Sequence, residues 1–366
     1  MTLIDRRSFL GRAAGAAAVG SLASTLPLAR EARAQKTQLT GVIWGGPWLA
    51  GAKAVTEKQS TYDIKWELLQ GGSATIIPKI KAAWPNPPYD FVVQFSPLYH
   101  LWEREGWAEP VTAAEMPNIA NLVPDTFYRD TKGANITVPL SVSGTFWGYR
   151  KDICPFPITK MDDLLDPRLK GKVIVRDATQ GLNNNVLSYA LAFGGNEKNM
   201  DPGWEFLKKL ARTGNIARIG KTESDFTNAI SSGECVVGFW TLPAWNTIVK
   251  TFPCEFLIKD RKEAPGFQVF SSTEAFLILK TSPRKKEVKD FLNYFISAES
   301  NEAYNKAIGC APTNVKSAPG DMAKNISFPR QEDRDRFQYN IDFDYLSTQM
   351  DEMIRRFEKD VVPLLR

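Results

Sequence analysis

The groupings with most chemical character are short turns that mix aromatic rings, glycines and hydroxyls: Trp44-Gly45-Gly46-Pro47-Trp48, Gly71-Gly72-Ser73-Ala74-Thr75, Phe95-Ser96, Asp177-Ala178-Thr179-Gln180-Gly181 and Trp240-Thr241. Their chemistry is recognition rather than bond breaking. Glycine turns and the hydroxyls of Ser73, Thr75, Ser143 and Thr179 can donate to an anion. Aromatic faces and acids can hold an organic cation. Glu274 opens a run, Ala275-Phe276-Leu277-Ile278, that is otherwise apolar. An acid at the head of a buried strand needs a partner, either a cationic group of a ligand or a lysine or arginine of the protein itself.

Nucleophilic chemistry has little to work with. The chain has one histidine, His100, between Tyr99 and Leu101 in a helix-like run, where it reads as a structural residue. Dinucleotide fingerprints, phosphate-binding loops, G-x-S-x-G and H-E-x-x-H are absent from the sequence. Carboxylate-only hydrolysis stays open as an alternative without a specific signal for it. Four cysteines, Cys154, Cys235, Cys254 and Cys310, form no C-x-x-C; they are structural thiols or one or two disulfides of undetermined pairing. No metal site and no cofactor is expected.

The turns need a scaffold that gathers them. Thr37 to Trp44, Ile64 to Leu69 and Asp90 to Phe95 read as strands separated by helices around Ala50 to Val55 and Ile76 to Ala83, an alternation that argues for a parallel α/β lobe. The pattern restarts with strands at Lys172 to Asp177, Cys235 to Trp240 and Cys254 to Ile258 and helices at Asn183 to Phe193 and Trp204 to Leu210. Two long extended stretches, Ile136 to Tyr149 and Ser272 to Leu279, read as crossings between two lobes. In such sheets ligands settle beyond the carboxyl ends of the strands, where the aromatic and hydroxyl turns lie. Leu346, Met350, Met353, Phe357 and Val361 make an amphipathic helical stripe that docks on the core.

Length and charge agree. A chain of 366 residues fits two domains, and 43% hydrophobic with 24% charged residues is a globular composition. The N-terminal Asp5-Arg6-Arg7-Ser8-Phe9-Leu10-Gly11, an Ala/Gly-rich stretch from Ala13 to Leu28 and Ala32-Arg33-Ala34 resemble a twin-arginine signal peptide over residues 1–34. Its removal leaves 41 basic against 39 acidic side chains, which gives nucleic acid no footprint.

From Gly41 to about Lys316 the sequence resembles the extracellular solute-binding proteins of ATP-driven importers, in the branch with spermidine/putrescine binders and relatives for iron, thiamine and phosphonates. Tyr89 to Val93, Glu105 to Pro110, Val138 to Tyr149, Ser232-Gly233-Glu234 and Ala311-Pro312-Thr313-Asn314 stand in the family's order. The most specific segment is Ile158 to Val173, with Leu165-Asp166-Pro167-Arg168-Leu169-Lys170-Gly171-Lys172.

The resemblance implies an α/β, two-lobed type II binding-protein fold with two crossing strands at the hinge, lobe 1 taking 36–141 plus 273–308 and lobe 2 taking 142–272 plus 309–366. It implies a periplasmic monomer without enzymatic activity that binds a small solute and docks on the permease and ATPase subunits of an importer.

By position, the family's ligand residues fall on Trp44, Gly46 and Trp48 in the first cleft loop, Asp177 in the second lobe, Trp240 and Glu274; the strand-end turns and the crossing add Ser73, Phe95, Ser96, Ser143, Thr145 and Thr179 as candidates. Glu274 would face a cation, with Trp48 and Trp240 bracketing its apolar part. Glycines replace the first-loop acid of polyamine binders, so an organic cation such as a polyamine or related amine stands beside a small anion or zwitterion, phosphonate or amino-acid-like. The adjacent tyrosine pair of many iron binders is missing.

Overall fold

The computed structural model describes residues 36–69, 73–180, 184–324, 326, 328 and 330–365. The twin-arginine segment, Gly71, Gly72 and Gly181 lie outside them.

The chain opens with β1 (Thr37–Ile43), α1 (Pro47–Thr56), β2 (Tyr62–Leu68), α2 (Ile76–Ala83), β3 (Phe91–Phe95) and α3 (Tyr99–Arg104). The long β4 (Val138–Arg150) follows, then β5 (Val173–Arg176), α4 (Asn184–Ala192), α5 (Asp201–Thr213), β6 (Ile216–Gly220), α6 (Glu223–Ser231), β7 (Val237–Thr241), α7 (Leu242–Ile248), β8 (Cys254–Leu257) and β9 (Val269–Ile278). Helices α8 (Lys285–Phe295) and α9 (Ala298–Ile308) complete the regular body.

One sheet path runs β2-β1-β3-β9-β4-β7-β5-β6. The outer members pair parallel on each side, β2-β1-β3 and β7-β5-β6, while β9 and β4 pair antiparallel with each other and with their neighbours. This is two βαβ halves joined by two crossing strands, the arrangement the alternation of elements implied.

The crossing pair is buried along most of its length, so each strand reads as an apolar run interrupted by small polar residues. Ser141 stands opposite Glu274, Ser143 opposite Ser272 and Thr145 opposite Phe270. The two-residue period of a strand places these six on one face. Gly144 allows the close approach: a Cβ there would meet the Val269 side chain at 2.5 Å.

Apolar burial continues across the crossing pair. A single cluster runs from Leu39, Trp48 and Phe91 through Phe146 to Phe226, Trp240 and Trp245. A second gathers Trp147, Tyr189, Trp204 and Leu207.

Two sequence expectations change, and the state of the cysteines, left open, is decided. The strand β6 and the helices α6 and α7 were not foreseen, because their apolar runs are short. The C-terminal stripe is not one helix: it breaks into Phe343–Thr348, Met350–Arg356 and a wider π turn, Phe357–Val361. Its apolar face is nevertheless buried, with Leu346, Met353, Phe357 and Val361 in the second cluster. The four cysteines are free thiols.

His100 contacts the C-terminal segment, with Nε2 2.6 Å from Ser347 Oγ and Nδ1 3.6 Å from Asp344. Burial holds its pKa below the usual imidazole value. The histidine is structural, as its setting suggested, and the structure places it against the tail.

Candidate functional site

A cavity of about 60 Å³ opens where the carboxyl ends of β1, β3, β5 and β7 meet the crossing pair. A wider hollow of about 170 Å³ abuts it and shares Trp44, Gln180 and Glu223.

Local sequence sets up each wall. Gly46 takes φ +65° just before Pro47, a positive φ that suits glycine and a proline that starts α1 without losing a needed N–H. That sharp entry brings Trp44 and Trp48 together, ring centroids 5.4 Å apart, with Phe95 edge-on to Trp44 at 6.2 Å. Trp44 Nε1 donates to Ser73 Oγ at 3.0 Å. Phe270 and Phe343 add two more rings to the lining.

Glu274 is 3% exposed and points into this space from β9. Its Oε2 accepts from Trp48 Nε1 at 3.0 Å and from Ser141 Oγ at 2.6 Å. No lysine or arginine among the described residues pairs with it. Burial lifts its pKa from 4.5 to about 7, and the hydroxyl and indole donors hold the rise back.

Glu223 is the second acid of the lining and was missed by sequence reasoning. A capping box positions it: Thr222 Oγ1 accepts from the Asp225 N–H at 3.1 Å while Asp225 Oδ2 accepts from the Thr222 N–H at 2.9 Å. The T-x-x-D pattern is the signal that could have found it. Glu223 is partly exposed along its length, yet its carboxyl is enclosed. Thr241 Oγ1 donates to its Oε2 at 2.9 Å. Burial lifts its pKa to about 7, opposed by the Arg176 charge and the Thr241 hydrogen bond and reinforced by Glu274.

Arg176, the last residue of β5, is the cation of the cavity and was also missed. It is 5% exposed, and its Nη1 donates to Asn184 Oδ1 at 3.1 Å. Its Nε has no partner. The Trp240 ring lies 5.0 Å from the guanidinium carbon. Burial lowers its pKa to about 10.

Seven of the twelve residues expected at the site line the cavity: Trp44, Trp48, Ser73, Phe95, Ser143, Thr145 and Glu274. The other five stand elsewhere. Gly46 sits at the α1 entry near the Glu223 stem. Ser96 Oγ accepts from the Thr273 N–H at 3.2 Å and so braces the crossing strand. Asp177 and Thr179 satisfy each other, Thr179 Oγ1 donating to Asp177 Oδ1 at 2.6 Å. Trp240 is fully buried behind the wall, stacked on Phe226 at 4.7 Å, and does not bracket the cavity.

Two acids with no protein cation in contact, one buried arginine and five rings make an enclosure suited to holding a small charged solute. The described residues offer no group of three or more His, Cys, Asp or Glu placed to hold a metal. No described helix is long and apolar enough to cross a membrane.

Residues 52–329 match the family model of bacterial extracellular solute-binding proteins. Iron uptake protein A1 of Synechocystis sp. is 22% identical over 249 residues, which span 64% of this chain and 64% of that relative.

Among solved structures, the periplasmic binding protein AfuA of Actinobacillus pleuropneumoniae, with fructose-6-phosphate bound, is 18% identical with a TM-score of 0.68, covering 89% of this chain and 99% of that one. The spermidine/putrescine substrate-binding protein PotD of Streptococcus pneumoniae is 14% identical with a TM-score of 0.64, covering 88% and 99%. These likenesses bear out the two-lobed type II fold.

Proposed function

The chain belongs to the bacterial extracellular solute-binding family, and from this we propose that it is the periplasmic binding component of an ATP-driven importer, capturing a small solute through an ammonium group. Glu274 carries the reading. It is a buried carboxyl whose hydrogen-bond donors are all neutral, in an enclosure walled by aromatic rings. A carboxylate in that position needs a positive charge, and none of the described residues supplies one in contact.

Export rests on the N-terminal Arg6-Arg7 motif, and partners and lobes follow the family. Residues 1–34 direct export by the twin-arginine route, and the mature protein works as a monomer with a permease and an ATPase. Lobe 1 comprises 36–141 and 273–308, lobe 2 comprises 142–272 and 309–366, and the two close on the solute. The ligand favours closure only by contacts to both sides at once. Glu274 on the crossing strand and Glu223 at the head of α6 are suited to that. The iron named for the Synechocystis relative is not carried over, since no tyrosine is among the described residues that line the cavity.

A thermal-shift screen over amines, amino acids, phosphonates and sugars tests the reading. A true ligand at about 100 times its Kd stabilises by about 2.7 kcal/mol. Mass spectrometry should recover the solute unchanged. Turnover of any hit would replace the binder with a hydrolase or lyase on the same fold.

A further inference from the structure

The ammonium reading uses Glu274 and leaves Arg176 unexplained. A guanidinium presents five N–H donors in a fixed fork. Here one bond goes to Asn184 Oδ1, Nε has no partner, and no carboxylate of the described residues forms an ion pair with it. At 5% exposure the guanidinium is largely cut off from bulk water.

Glu223 is the acid whose charge Arg176 feels, but its Oε2 is engaged by Thr241. The Trp240 ring behind the guanidinium is held by its stack on Phe226, so the fork is braced from the rear and faces the cavity.

The enclosure thus has two poles of opposite sign. Resting on the assignment of Glu274 to an ammonium, we propose that the solute is a zwitterion of amino-acid type, its carboxylate seated on the Arg176 fork beside Asn184 while its ammonium faces Glu274. A carboxylate can accept two parallel N–H bonds from a guanidinium, which the single bond to Asn184 leaves free. With a neutral zwitterion bound, Arg176 and Glu274 are both paired.

The test uses the full mature chain and calorimetry with straight-chain ω-amino acids from glycine to 6-aminohexanoate. Each is set against the amine of equal length without the carboxylate and the acid without the amine. The zwitterion should bind the parent on the order of 100-fold more tightly than either. Arg176→Gln should cancel most of the advantage over the amine and lower amine affinity at most a few-fold. A purely structural arginine would instead weaken both ligands alike.

If Arg176→Gln does not fold, Asn184→Asp gives the guanidinium a carboxylate of its own and should cost the zwitterion in the same selective way. An amine that matches its amino acid overturns the zwitterion while leaving the Glu274 assignment standing. A simple acid that matches overturns the Glu274 assignment itself. Failure of every member to bind at millimolar concentration overturns the substrate class.

Discussion

The indole N–H of Trp48 donates to Glu274 Oε2 at 3.0 Å across 226 residues of chain, and both side chains are buried. The bond ties the first turn of α1 to the crossing strand β9. Together with the Ser141 hydroxyl it makes the buried acid a fixed feature of the cavity wall.

Removing that donor should therefore show in the acid. Trp48→Phe keeps the ring and deletes the N–H. A hydrogen bond to a charged group contributes roughly 1.5 to 3 kcal/mol, so the carboxyl becomes harder to ionise and solute affinity at pH 8 should fall roughly two- to tenfold. The midpoint of the affinity-versus-pH curve should also move upward, since the carboxylate has lost a stabilising partner. An unmoved midpoint would show that the bond does not govern Glu274.

Glu274→Gln preserves shape and deletes the charge. Binding of an ammonium solute should weaken by roughly 2 to 5 kcal/mol in calorimetry. The unliganded protein should keep its circular dichroism, and its melting temperature at pH 8 should hold or rise, because a buried acid without a cation has been removed. Parent-like affinity would sink the counter-charge role.

The pH dependence has a definite sign. Glu274 and Glu223 are raised from 4.5 to about 7 in the folded protein, so the stability they contribute is present below pH 4.5 and is lost as pH rises through 7. Melting curves without solute should show a decline across that window, about 3 kcal/mol per carboxyl as an upper bound. Ammonium binding favours the ionised form, so affinity should climb with pH up to about 7, approaching tenfold per unit for one proton released, and then level off. Glu274→Gln should flatten much of this slope.

The thiols give a check independent of the ligand. All four cysteines are free, and burial pushes Cys254 up to about 11 and Cys235 up to about 12. Thiol titration of protein purified without reductant should count four in denaturant and react slowly in the native state at pH 8. Two or none in denaturant would reveal disulfides.

Export is the last prediction. Replacing Arg6 and Arg7 together by lysine should leave the protein in the cytoplasm in cell fractionation, because the translocation receptor reads both guanidinium groups. Undiminished export would point to the general secretory route.

Alternation of short apolar strands with helices was legible in the chain because period and turn chemistry are local properties. The same holds for the crossing strands and for the aromatic glycine turn at Trp44 to Trp48. Glu274 stood out for a local reason too, as a lone acid heading an apolar strand. Ser272 and Phe270 were within reach, two and four residues before it on the same strand face.

What only the tertiary structure decided is which neighbour at a strand end faces the cavity. Asp177 was the expected acid of the second half, yet it folds back onto Thr179 while the preceding Arg176 enters the enclosure. A one-residue step along a strand reverses the facing of a side chain, and sequence alone does not fix where the strand ends. Trp240 shows the same limit, since the stack on Phe226 draws its ring into the core. Glu223 and Phe343 reach the cavity from a helix start and a tail segment remote in sequence. Their meeting with Glu274 depends on how separate elements pack, and no local pattern encodes that.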